Sequence, residues 1–162
     1  MARALFLFLL LLASARAGDA VILLHGLART SRSMDRMEAA FAAAGYVVLN
    51  IDYPSRSTAI AALSEAVIGD ALAEARRRGC AHVHFVAHSL GGILVRSYFA
   101  KHAEPRLGRV VMLGPPNQGS EVVDRLGSWW LFHRINGPAG AELGTGPDSV
   151  PHSLGPVRFE LG

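Results

Sequence analysis

The sequence predicts an α/β fold, a mostly parallel sheet with helices on both faces, and three observations carry that prediction. Apolar runs of strand length alternate strictly with Ala-rich segments of helical period. The strand runs are continuously apolar instead of alternating with polar residues, as strands covered on both sides must be. The chain has 162 residues, 51% of them hydrophobic and 18% charged, which is the composition of one folded domain and excludes a disordered or fibrous protein.

The elements follow in order. Residues Leu5 to Leu12 read LFLFLLLL behind Arg3, with small residues at Ala13, Ala15 and Ala17. This is the pattern of a secretory signal peptide over residues 1–17. The apolar run is far short of the roughly 20 residues of a spanning helix, so no transmembrane segment is expected after cleavage, and a secreted or periplasmic location is. Val21 to Leu24 is a first strand, followed by the loop HGLARTS. From Ser33 to Ala44 a helix places Met34, Met37, Phe41 and Ala44 on one face, and Gly45 ends it. Val47 to Ile51 is a second strand, closed by Tyr53-Pro54-Ser55. Thr58 is positioned to cap a long helix that runs to about Arg78 and buries Leu63, Val67, Ala71 and Ala75.

A third strand, Val83 to Ala87, runs straight into a helix from Leu90 to His102, which ends before Pro105. Arg109 to Leu113 is the fourth strand. The texture then changes. Pro115 to Gly119 is a turn cluster, Val122 to Ile135 carries two tryptophans as a short helix or lid, and Asn136 to Pro156 reads as loop. Val157 to Leu161 alternates like the start of another strand.

Charge and cysteine content remove whole classes of function. The single cysteine, Cys80, excludes an internal disulfide framework and a Cys-cluster zinc site. The net charge of +3 comes without a basic stripe interleaved with aromatics, so no nucleic-acid partner is expected. The run Arg76-Arg77-Arg78 closes a helical pattern, where cations oppose the negative end of the helix dipole. HGLART stands where a dinucleotide fold would carry Gly-x-Gly-x-x-Gly. His82 and His84 share one strand face, but no third ligand accompanies them. No metal and no cofactor are expected.

The segment VHFVAHSLGG, residues 83 to 92, carries the chemistry. An apolar strand leads into a small-polar turn and then a helix, a context that lifts a serine above the sheet edge and exposes its hydroxyl. The usual motif is Gly-x-Ser-x-Gly. Here Ala87 replaces the first glycine, followed by His88, Ser89, Leu90, Gly91 and Gly92. Ser89 opens a helix, so the unpaired amide of Leu90 faces the place where an acyl oxyanion develops. The first strand ends in Leu24-His25-Gly26-Leu27, where a glycine allows close approach and the Leu27 amide can supply a second donor.

The segments LLHGL at 23 to 27, AHSLGG at 87 to 92 and GPPNQGS at 114 to 120 together resemble the α/β-hydrolase superfamily, and within it bacterial lipase- and esterase-like serine hydrolases. The resemblance spans about Val21 to Ser120. It implies acyl transfer to water, with Ser89 as nucleophile, the amides of Leu27 and Leu90 as oxyanion hole, and a small-molecule or lipid ester as substrate. It also implies a triad in the chain order Ser, acid, His.

The acid and the histidine depart from that pattern. Residues 18–162 read as a partial domain, with a lid-like region at about 117–156 and with the C-terminal strands and helix missing, so that the chain is expected to be a truncated member. Asp148 and His152 have the right order but lie close together in one loop. His102 falls at the far end of the helix that Ser89 begins, and His133 beside Trp129 and Trp130 suits a lid or packing cluster. His88 adjoins the serine, but a sharp turn directs sequence neighbours apart. The alternative function is a non-catalytic module of the same fold that binds a lipid or a partner protein.

Overall fold

Alternation along β1 (Ala20–Leu24) explains why its sequence is apolar throughout. In this computed structural model, which describes residues 18–121, 123, 137–157 and 159–161, Ala20, Ile22 and Leu24 enter a large core on one face of the sheet. Val21 and Leu23 enter a smaller core on the other. Successive strand side chains point to opposite faces, so a central strand buried on both sides has no polar position. β1 is central: with β2 (Val47–Ile51), β3 (Val83–His88) and β4 (Leu107–Leu113) it forms a sheet in the order β2-β1-β3-β4. All three pairings are parallel.

Helices cover both faces, as the sequence predicts. α2 (Ile60–Arg77) buries Leu63, Val67, Ala71 and Ala75 at helical spacing, and α3 (Leu90–Phe99) is buried nearly all round. Both pack into the large core with Phe85 and Ala87 of β3. α1 (Asp35–Ala43) covers the opposite face, where Met37 and Phe41 pack against Val21, Leu23 and Val86. The segment from Ser31 to Met34 is a 3-10 turn, and Met34 is its one buried residue. Gly45 ends the helical region at φ +88°, a left-handed conformation that favours glycine.

Besides shifts of one or two residues at element ends, four features differ from the sequence reading. Thr58 does not cap α2. The N-cap is Ala59, and the Ile60 amide instead donates to Glu142 Oε2 at 2.7 Å across 82 residues of sequence. Glu142→Ala is expected to cost about 1 kcal/mol, the usual worth of a cap, and a thermal melt against wild type checks it. The helix after Ser89 stops at Phe99, short of His102. Residues 137–141 and Val150–Ser153 are helical within a stretch that reads as loop. Their order comes from distant contacts: Ala139 is wholly buried, and the Leu143 carbonyl accepts the Ser120 amide. Lastly, Val157 to Leu161 gives only an isolated parallel bridge between Leu161 and Val110. The lid-like segment with Trp129, Trp130 and His133 lies outside the described residues.

At the amino ends of the strands the ion pairs are structural. His82 Nδ1 lies 2.9 Å from Asp19 Oδ1, and His84 Nδ1 accepts the Arg109 amide at 3.0 Å, so both strand histidines are engaged. The hydrogen bond from His82 holds the Asp19 carboxyl below its ordinary value. Behind α3, Arg76 and Arg106 both bond the buried Glu104 side chain. Burial alone raises the Glu104 carboxyl, but these hydrogen bonds outweigh it and hold the group below its ordinary 4.5. A depressed carboxylate stabilises the fold above its unfolded pKa and loses that contribution as pH falls through the folded value. The stability gap between wild type and Glu104→Gln is therefore expected to be full at neutral pH and to close as pH drops below about 4.5, which paired melts across that range measure.

Candidate active site

In a parallel sheet every strand's carboxyl end opens on the same edge, and ligand sites gather there. The loops after β1, β2, β3 and β4 accordingly converge around Ser89. β3 ends at His88 and α3 begins at Leu90, leaving Ser89 alone to make the turn at φ 52°, ψ −117°. Only one other described non-glycine residue, Ala28, has a positive φ. Such backbone costs about 1–3 kcal/mol and persists only where its surroundings enforce it. Here the Ser89 amide donates to the Leu113 carbonyl at the end of β4 at 3.0 Å, and the Ser89 carbonyl accepts the Gly92 amide at 3.0 Å.

The two glycines after Ser89 bring α3 onto the sheet. A Cβ on Gly91 would stand 2.8 Å from the Leu24 carbonyl oxygen, and one on Gly92 would meet Pro115 at 3.0 Å. Ala87, in place of the first glycine of the usual motif, is fully buried between Leu24 and Met112 in register. A methyl group fits that slot.

The loop after β1 lies directly on the elbow. A Cβ on Gly26 would stand 2.8 Å from His88 Nδ1 and 3.2 Å from Ser89 Cβ. The His88 ring and the Ser89 side chain therefore flank the same glycine, and no hydrogen bond joins them among the described residues. Extended strand geometry ends at His88, and Ser89 takes the left-handed turn with its Cβ near Gly26, in the loop after β1. The Leu27 amide makes no hydrogen bond among the described residues, while the Ala28 amide donates to Ser55 Oγ at 3.0 Å. The first amides of α3, including that of Leu90, have no intrahelical acceptor. The loop after β1 and the first turn of α3 thus each hold an amide without an acceptor in their own element, near one half-buried serine.

His25 supports this loop. It is wholly buried, with Nδ1 donating to the Gly26 carbonyl at 2.9 Å and Nε2 accepting the Tyr53 amide at 3.3 Å. Its ring stacks on Tyr53 at 4.0 Å between centroids. The Tyr53 hydroxyl donates to the His25 carbonyl, and burial pushes its phenol well above the ordinary range. Sequence reasoning read Tyr53-Pro54-Ser55 only as the end of a strand. The signal that could have found it is topological, since the loops after adjacent parallel strands must meet.

The acid and base candidates have partners of their own. His152 Nδ1 lies 3.1 Å from Ser149 Oγ, and Asp148 is exposed. Their turn is tied to α3 by Arg96, which donates to the Gly155 carbonyl at 2.7 Å and to Asn117 Oδ1 at 2.8 Å. Arg96 sits about 10 Å along the helix from Ser89 at 1.5 Å per residue. His102 pairs with Glu65 at 2.8 Å at the far end of α3. Among the described residues no histidine hydrogen-bonds the Ser89 hydroxyl, and no cluster of three or more His, Cys, Asp or Glu side chains suits a metal ion.

A family model described as "Alpha/beta hydrolase family" matches residues 21–159. Among solved structures the chain is similar to lipase BlEst2 of Bacillus licheniformis in its mature form, with 25% identity, a TM-score of 0.68, and coverage of 90% of this chain and 64% of that one. It is also similar in fold to phospholipase PlaB of Legionella pneumophila, with 21% identity, a TM-score of 0.64, and coverage of 84% of this chain and 34% of that one. A third is the monoacylglycerol lipase of Paleococcus ferrophilus, at 21% identity, TM-score 0.52, and 69% and 48% coverage. The chain thus spans less than two thirds of the length of each of these structures. No curated protein matches it.

Proposed function

The chain belongs to the alpha/beta hydrolase family, and on that premise we propose that it is a serine hydrolase of the lipase/esterase type, cleaving carboxylic esters through Ser89. The observation that carries the reading is the backbone of Ser89, a non-glycine residue held at φ 52° between a strand and a helix. That strain has no packing purpose a glycine could not serve, and it presents a hydroxyl at the ligand edge of the sheet. The likeness to a lipase at 25% identity supports the same reaction class.

In the proposed reaction Ser89 Oγ attacks the acyl carbonyl carbon and its proton passes to a base. The carbonyl oxygen takes the negative charge and accepts hydrogen bonds from the Leu27 and Leu90 amides, backbone donors of the kind that stabilise such charge. Collapse expels the alcohol, protonated by the same base, and leaves an acyl-serine that water hydrolyses by the reverse sequence. The family pattern assigns the base to a histidine that follows an acid in the chain. The pair Asp148 and His152 is not proposed for that role, because His152 Nδ1 lies against Ser149 Oγ and neither side chain bonds the Ser89 hydroxyl among the described residues.

The leader-like residues 1–17 support a secreted or periplasmic site of action as part of this proposal. Among the described residues no helix is long and apolar enough to cross a membrane. The second reading is a binding module of the same fold, in which the loops at this edge hold a lipid or a partner protein without cleaving it. The deciding experiment is hydrolysis of p-nitrophenyl acyl esters by the full-length protein and by Ser89→Ala. Ser89-dependent turnover supports the hydrolase; its absence supports the binding module.

A further inference from the structure

We infer that Tyr53 and Ser55 are positioning residues that hold the oxyanion loop in its donating conformation from the neighbouring strand. The inference rests on the reading of Ser89 as nucleophile and the Leu27 amide as oxyanion donor. Four observations carry it. Ala28 is held at φ 55°, a left-handed conformation that favours glycine and strains an alanine. Its amide is spoken for by Ser55 Oγ at 3.0 Å, and Ser55 is only 4% exposed. On the other side of Leu27, the His25 carbonyl accepts the Tyr53 hydroxyl, and the His25 ring accepts the Tyr53 amide and stacks on the Tyr53 ring. Between these two anchors the Arg29 amide closes a turn on the Gly26 carbonyl at 3.2 Å.

The physical consequence follows from which groups are satisfied. His25, two residues before Leu27, and Ala28, directly after it, each give a main-chain group to the same short segment after β2. The Leu27 amide between them has no acceptor among the described residues. A loop free to relax would turn that N–H toward water or a neighbouring carbonyl. The left-handed kink at Ala28, tied to Ser55 through its amide, limits that relaxation beside the elbow that Gly26 touches. Preorganised donors lower the barrier because no reorganisation accompanies charge development, and a misplacement of about 1 Å costs on the order of a hundredfold in rate.

The test uses the full-length protein with Ser55→Ala and Tyr53→Phe, the latter removing the hydroxyl and keeping the ring stack. With a p-nitrophenyl acyl ester, each variant is expected to lose about tenfold to hundredfold in kcat with KM within about twofold. Nuclear magnetic resonance should show the Ala28 amide exchanging with solvent at least about tenfold faster in Ser55→Ala, since its acceptor is gone. Unchanged kcat in both variants, or a rise in KM alone, overturns the positioning role, because a merely structural contact would move stability and not the kcat-to-KM split. Turnover that survives Ser89→Ala is a separate outcome: it overturns the Ser89 reading and the positioning role with it.

Discussion

Ser89→Ala is expected to lower ester turnover by at least about 10⁴-fold, since removing the nucleophile of an acyl-transfer site forfeits the covalent route and leaves only the donors and binding. The fold should survive, because the Ser89 hydroxyl makes no hydrogen bond among the described residues and its amide, which bonds the Leu113 carbonyl, is untouched. Ser89→Gly should go further. Glycine adopts φ 52°, ψ −117° freely, so relief of about 1–3 kcal/mol of strain outweighs the roughly 0.5–1 kcal/mol lost to the freer unfolded chain. An inactive variant that melts a few degrees above wild type would show that the backbone at this turn is strained to expose a hydroxyl. Equal or lower stability of Ser89→Gly would show that the turn is relaxed, and the strain argument for the site would fall.

Gly91→Ala is expected to be the most damaging single methyl in the site. The new Cβ would lie 2.8 Å from the Leu24 carbonyl oxygen, 2.9 Å from Leu24 Cβ and 3.1 Å from the His25 carbonyl oxygen. Each of these belongs to the backbone or Cβ of the fully buried central strand and its end, so none yields cheaply. Alanine gains about 1 kcal/mol over glycine in a helix interior, but overpacking of this kind costs about 1–3 kcal/mol, and near the start of α3 the propensity gain is smaller. A net loss of about 2 kcal/mol is expected. Gly69 in α2 makes the contrast, because a Cβ there meets nothing within 4 Å. Gly69→Ala should stabilise by up to about 1 kcal/mol. Melts of the two variants with opposite shifts would separate helix propensity from contact with β1. The Gly91 variant should also lose turnover, since the displaced carbonyls lead straight into the oxyanion loop.

The strands and the elbow were legible because their signals are local. Val21 to Leu24 is apolar at every position and is the central strand. VHFVAHSLGG packs strand, turn and helix into ten residues, and the structure places its boundary at Ser89. The helical spacing of Leu63, Val67, Ala71 and Ala75 predicts the buried line of α2. Where two distant segments meet, the sequence carried no comparable mark. The cap on α2 comes from Glu142, and local pattern pointed to Thr58. The helical residues 137–141 are ordered by burial of Ala139 and by Gly137 pressed against the Arg56 carbonyl, where glycine's missing Cβ is required.

Sequence by itself determined the α/β class, the order of its elements and the residue that makes the strained turn, because hydrophobic period and a small-residue motif act over a few neighbouring positions. Only the tertiary structure decided how the turn is served. It brought His25, Tyr53 and Ser55 together from the loops after two strands, set His88 and Ser89 against the same glycine, and placed His152 against Ser149. Those outcomes depend on the register of parallel strands and on which loops meet at their carboxyl ends, and such long-range geometry is not encoded in the spacing of residues along a single segment.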